Sequence, residues 1–205
     1  MKKTIICNIS MKEKLDKVLY VSDDQSIPVA NKKVRYPICS FLEKTICIED
    51  ELKILLLVKK DKNCYYKRNM EYFKKELSEA NKDAKAAIKY VVLDTEFSQE
   101  KSIHEQLMGA IVDELEDNSH ILADITYGPK DLPIVIFSAL NFAEKYLNCS
   151  VDNIIYGQAS FENGQAVDTK ICDMIPLYCL GALTNTIHSS EPNRARKMLK
   201  TLLSL

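Results

Sequence analysis

Glycine is scarce in this chain: there are five in 205 residues, and none falls in a G-x-G-x-x-G, a G-x-x-x-x-G-K-[ST] or a G-x-S-x-G. The first pattern brings backbone onto a pyrophosphate, the second cradles a nucleoside triphosphate, and the third exposes a nucleophilic serine. NAD dehydrogenases, P-loop NTPases and α/β-hydrolases are therefore all demoted. Charge of one sign is also lacking. With 28 basic and 29 acidic residues the formal net charge is -1, so nothing pulls the chain generally toward nucleic acid or membrane, and an anionic ligand has to be recognised locally. No apolar stretch approaches the ~20 residues that span a bilayer. The start, from Met1 to Cys7, has no signal-peptide core or cleavage site, and the expected location is the cytoplasm.

Cysteine spacing excludes the common metal frameworks. The seven cysteines form no Cys-x-x-Cys, and no histidine lies close to Cys172 or Cys179, so a zinc pattern is missing. They read as reduced, mostly buried small hydrophobes. His104, His120 and His188 are scattered along the chain. Neither a metal nor a cofactor is expected. Internal repeats, low-complexity segments and obvious linkers are absent too, and a chain of 205 residues is long enough for one sizeable core and short for two.

What is present is an alternation of apolar strands and amphipathic helices. Strands are expected from Lys3 to Ile9, Leu52 to Val58, Ala87 to Leu93, Ser119 to Ile125, Asn153 to Tyr156 and, as a sixth, Thr169 to Met174. Between them Tyr66, Met70, Phe73 and Leu77, then Ile103, Leu107, Ile111 and Leu115, then Leu132 through Leu147 recur at helical spacing. Residues 11–36 read as an excursion after the first strand, either a lid or decoration. A closing helix is expected near 191–205, with Pro192 at its start and Arg194, Arg196, Lys197 and Lys200 among Met198, Leu199 and Leu202. The sum is one α/β domain, a Rossmann-like and mostly parallel sheet of about six strands with helices on both faces.

The segment from Ser119 to Pro133 organises the rest: an apolar strand ending in Asp124, a polar turn, then a helix. In an open α/β sheet such turns lie at the carboxyl edge of the strands, where ligands bind. Gly128 lets backbone approach a ligand, Thr126 supplies a hydroxyl, and Lys130 places a cation beside amides at a helix start, a combination suited to phosphate. Lys130 reads equally well as a solvated turn lysine. Gly128 and Gly157 each fall just beyond an expected strand and imply a shared ligand surface, although a turn explains either one alone. Asp94, Glu96 and Asp124 are candidates for acid/base chemistry, with a structural reading as caps and turn residues beside it. The basic closing helix has no aromatic residue among its charges and reads as solvated or partner-facing, not as a DNA contact.

Asp124-Ile125-Thr126-Tyr127-Gly128-Pro129-Lys130, followed by Leu132-Pro133 and then by a strand ending in Tyr156-Gly157, resembles the CRISPR-associated Rossmann-fold (CARF) sensor domains. Their pattern is an apolar strand ending in D-[IL]-T-x-G, a basic residue and L-P, then a strand ending in Y-G. The resemblance implies a sensor of type III CRISPR antiviral signalling that binds a cyclic oligoadenylate second messenger, tetra- or hexa-adenylate, across a homodimer interface. It implies Thr126, Tyr127, Gly128 and Lys130 at the centre of the pocket, with Asn8 and Ser10 facing the same phosphates; Thr95 and Gln158 are added by position. The alternative it carries is a metal-independent ring nuclease that cleaves the same ligand, with Lys130 or Thr126 stabilising charge on the phosphate. Such sensors usually precede an effector. None is legible before Leu205, and a fused or separate effector domain is expected as a partner.

Overall fold

The computed structural model describes the chain except for residues 61, 64, 97–99, 163, 164, 186 and 205, and except for the side chains of 161, 165 and 185. Contacts divide the chain into two compact units, Met1–Asp173 and Met174–Leu205.

The first unit is the expected α/β sheet. Strand β1 (Lys2–Asn8) is followed by the short β2 (Val18–Leu19) and β3 (Lys33–Val34), then by α1 (Pro37–Thr45) and β4 (Glu51–Val58). Next come α2 (Tyr65–Ala80), β5 (Ala87–Asp94), α3 (Lys101–Asp113), β6 (His120–Asp124) and α4 (Leu132–Tyr146), and the antiparallel pair β7 (Ser150–Glu162) and β8 (Gln165–Asp173) closes the unit. The six-stranded sheet runs β5-β4-β1-β6-β7-β8. Its first five strands are parallel and β8 is antiparallel.

Burial follows the pleat. Ile5, Cys7 and Ile9 with Ile54, Leu56 and Val58 form one core with Phe41 and Leu42 of α1 and Phe73 and Leu77 of α2. The alternate residues Ile6, Leu55, Leu57, Ile121 and Ala123 are equally buried and face the other way, toward α3 and α4, which supply Leu107, Ile111, Ile136, Ala139 and Leu140. That two-sided burial is why β1 and β4 are continuous apolar runs. No residue of β5 is fully buried, as befits an edge strand.

The excursion at 11–36 is neither free nor ornamental. Tyr20, Ile27 and Val34 are buried in the α1/α2-side core, Val21 pairs with Lys170 along the edge of β8, and Asn69 Nδ2 donates to the carbonyls of Ser10 and Lys12 at 2.7 and 2.9 Å. The Arg35 guanidinium reaches the buried carboxylate of Glu76 at 3.1 Å and stacks 3.9 Å over the Tyr72 ring.

Strand β7 runs six residues beyond the Tyr156 expected as its end, through Glu162. The reason is non-local: β8 pairs along it, with Tyr156 opposite Cys172 and Gly157 opposite Ile171, and that ladder supplies hydrogen bonds no local pattern announces. Strand β8 likewise starts at Gln165, four residues before the Thr169 expected as its start. The polar loop expected at Glu162 to Gln165 includes residues 163 and 164, outside the described residues.

The second unit holds α5 (Ile175–Asn185) and α6 (Pro192–Leu202). Helix α5 has no charged residue and α6 buries none of its residues. Among the described residues no helix is long and apolar enough to cross a membrane.

Candidate functional site

From the central β1 the chain proceeds outward through β4 and β5 on one side and through β6, β7 and β8 on the other. The carboxyl ends of β1 and β6 therefore flank the topological switch point, where connecting segments diverge to opposite faces and leave a crevice. Asn8 ends β1 there, and the turn 125–131 leaves β6 there.

Gly128 sits in that turn with φ +112°, a conformation L side chains rarely adopt. Space forbids a side chain as well, since a Cβ at Gly128 would lie 2.6 Å from Leu132 Cδ2 and 2.8 Å from Asn8 Nδ2. The turn thus rests directly on the Asn8 amide. Asn8 is only 2% exposed, and its Oδ1 is buried without a hydrogen-bond partner. Leaving such an acceptor unsatisfied costs about 1–3 kcal/mol. Unmatched buried groups of this kind are uncommon in folded proteins and call for an explanation, a ligand among them. Gly157 is glycine for a different reason: it lies inside β7, and a Cβ would meet Pro37 Cγ at 2.3 Å, so it admits the start of α1.

Asp124 and Thr126 close the α1 side of the crevice. The Asp124 carboxylate, 1% exposed, accepts from the Thr126 amide at 2.9 Å and the Ile38 amide at 3.4 Å. Ile38 stands in the first turn of α1, so Asp124 caps that helix from 86 residues away. Burial pushes its carboxyl up to about 6, with the bonds from Thr126 and Ile38 pulling back. Thr126 Oγ1 accepts the Gly157 amide at 2.8 Å. The first helix N-terminus, which holds phosphate in many Rossmann-like folds, is here filled by the protein's own carboxylate, and Asp124 has the capping role rather than a place beside open solvent.

Tyr127 turns to the same side. Its hydroxyl donates to the Arg35 carbonyl at 2.6 Å, and its ring meets the Tyr36 ring edge-on with centroids 5.4 Å apart. It tethers the turn to the excursion. On the other flank His104 Nε2 lies 2.6 Å from the carboxylate of Asp131, the residue that precedes α4.

Between these anchors the turn is open. Gly128 and Lys130 are exposed. Their backbone amides have no acceptor among the described residues. Lys130 has no carboxylate within 4.0 Å among the described residues, and neither do Lys12 and Lys59, which follow β1 and β4 at the same edge. At the amino edge of the sheet Lys2, Lys3 and Lys53 are paired with Glu116, Asp50 and Glu114. The buried Ser10 accepts the Lys12 amide at 3.3 Å. Thr95 lies at the end of β5, two strand positions from β1, and Gln158 lies within β7 with Oε1 3.7 Å from Cys172 Sγ.

The structure therefore sets Gly128 against Asn8, with Lys130 two residues on in the same turn and Thr126 held in a structural bond, and places Thr95 and Gln158 at other strands. Sequence reasoning missed His104, Asp131 and Arg35. Their partners stand 27 and 92 residues away, and no local spacing signals such pairs. Chemically the Gly128 and Lys130 amides and the Lys130 cation suit an anion, while the unmatched acceptor beside them, Asn8 Oδ1, suits a hydroxyl or an amine of the same ligand. Among the described residues no group of three or more His, Cys, Asp or Glu side chains could hold a metal ion. Three of the six described cysteines are buried, Cys7, Cys39 and Cys149. No protein-family model matches the chain, and no curated protein matches it.

Proposed function

We propose that this chain is a cyclic oligoadenylate sensor domain of type III CRISPR antiviral signalling, binding its ligand across a homodimer interface and acting through a fused or separate effector. The observation that carries the reading is the open turn at the switch point, where Gly128 at φ +112° lies on a buried Asn8 whose Oδ1 lacks a partner, next to an unpaired Lys130. A cyclic oligomer with an even number of nucleotides has a two-fold axis available, and a C2 pair of such turns offers each half the same donors. The cleaving alternative has less support, because Thr126 Oγ1 is already bonded to the Gly157 amide. Chromatography of cyclic tetra-adenylate incubated with the protein separates them: intact ligand is expected, and linear product would make the chain a ring nuclease.

Two variants test the binding site. Lys130→Ala is expected to weaken cyclic tetra-adenylate binding and to flatten its salt dependence, because a lost phosphate contact releases fewer counterions. Calorimetric titrations at two salt concentrations measure both effects; an unaltered affinity and slope would remove Lys130 from the site. Asn8→Leu replaces the unsatisfied amide by an apolar group of similar size, so stability in urea is expected to stay level or rise by about 1 kcal/mol while affinity is lost. A variant that is destabilised and still binds would show that the amide serves the fold.

A further inference from the structure

We propose that the free edge of β5 pairs with β5 of a second copy of this chain, antiparallel about a two-fold axis, at a surface separate from the central turns. The pairing needs no ligand.

The two edges of the sheet are built differently. At β8 the excursion closes the edge, with the Val21 amide donating to the Thr169 carbonyl at 3.2 Å and the Val21 carbonyl accepting the Ile171 amide at 2.9 Å. Strand β5 is the opposite edge, and among the described residues only β4 pairs with it. The Thr95 amide donates to the Val58 carbonyl at 2.9 Å, so Thr95 turns its backbone groups toward β4. Backbone groups alternate in direction along a strand. Those of Ile88, Tyr90, Val92 and Asp94 therefore point outward, and no backbone partner meets them among the described residues.

Edge strands are ordinarily guarded by charge, proline, a bulge or brevity. Strand β5 has 8 residues, against roughly five or six in an average strand. It has no proline, its only charge before the final Asp94 is Lys89, and its register with β4 runs without a shift. Ile88, Tyr90, Val91 and Leu93 are half-buried and Val92 is 45% exposed. Such an edge takes an extended strand.

Symmetry and charge make a second β5 that strand. The outward residues Ile88, Tyr90, Val92 and Asp94 are spaced evenly about Val91, so a two-fold axis there sets each of them against another member of the same set. Tyr90 then meets Val92, an aromatic side chain against a β-branched one. The ladder exchanges about eight backbone hydrogen bonds, comparable with the roughly ten of a typical protein interface. Lys82, Lys85 and Lys89 outnumber Asp83 at the amino end of β5; at its carboxyl end Asp94 is held by Lys60 at 2.7 Å, and Glu96 has no ion pair among the described residues. Antiparallel pairing brings the basic end of one copy to the acidic end of the other, whereas parallel pairing aligns like with like. Strand β5 lies two positions from β1 in the sheet, so its edge is distinct from the switch point. Two isologous surfaces on one chain link copies into an assembly larger than a dimer.

Hydrogen exchange of the full chain without ligand, read at single residues by NMR over a range of protein concentrations, tests the pairing. The amides of Ile88, Tyr90, Val92 and Asp94 are expected to exchange about tenfold or more slowly once copies associate, while those of Lys89, Val91 and Leu93, directed at β4, are slow throughout. Val92→Pro removes an outward donor that a single copy does not use, and Val92→Lys leaves the backbone intact but charges the edge. Both are expected to abolish the protection of the outward amides and to lower the mass seen in sedimentation; the lysine variant decides the matter if the proline variant does not fold. Outward amides that exchange fast at every concentration would overturn the pairing, whether the protein is monomeric or associates elsewhere. Outward amides that stay slow in the folded variants would overturn it as well, because the edge would then be covered within one chain. Association through the central turns leaves the outward amides of β5 fast, so the sensor reading stands or falls separately.

Discussion

A folded Gly128→Val protein with no measurable affinity for cyclic tetra-adenylate is the expected result of closing the central turn. Backbone and space act together here. At φ +112° any L side chain is strained, and a Cβ would collide with Leu132 and with the Asn8 amide. Relief requires the turn to lift off β1, which pulls the Gly128 backbone away from the Asn8 side chain and displaces the amides that follow it. Because Leu132 is itself buried at 2% exposure, the substitution also reaches the top of the α4 packing, and a stability loss of about 1–3 kcal/mol is expected. The sheet lies beneath the turn and is untouched. Circular dichroism first establishes that the variant is folded, and calorimetric titration then reads the affinity. Folded protein with wild-type affinity would mean that the ligand does not approach this turn, and the site would have to be sought elsewhere.

Stability that falls as pH rises from about 4 to about 6 is the signature expected of Asp124. An unfolded aspartate titrates near 3.9, whereas burial pushes the folded group up to about 6. Below pH ~4 the carboxyl is protonated in both states and its burial carries no charge. Through the window between the two pKa values the unfolded chain ionises while the folded one holds its proton, so stability drops; above about 6 the loss is complete, on the order of 3 kcal/mol for two pKa units. Asp124→Asn removes the titration. Its Oδ1 still accepts from Thr126, but its amide nitrogen confronts the Ile38 amide, donor against donor, which adds a penalty independent of pH. Urea denaturation of both proteins between pH 4 and 7 is therefore expected to give a wild-type-minus-variant difference that declines across this window. A flat difference would show that Asp124 does not hold its proton in the folded state.

How much of this was legible beforehand depends on how local each feature is. Apolar runs such as Leu52 to Val58, and helical recurrences such as Tyr66, Met70, Phe73 and Leu77, report on burial through spacing within one element. They determined the parallel α/β sheet and the place of nearly every helix. The glycine and lysine of the turn after β6 were legible for the same reason, since a strand followed by Gly128 and a helix start is a local pattern. Orientation across elements was not. Nothing within Thr126 to Lys130 tells that Tyr127 points to the Arg35 carbonyl, or that Asp124 closes the amides of α1 rather than facing the crevice. Gly157 read as a turn residue, yet it lies within a strand that pairing with β8 extends, and it is glycine because Pro37 approaches it from α1. The sequence by itself determined which segments are buried and where the chain turns, because burial and turning are properties of a few consecutive residues. Only the tertiary structure decided which side of the sheet each turn residue faces, because that choice is made by partners 27 to 92 residues away and is stabilised by contacts that exist only once the sheet has formed.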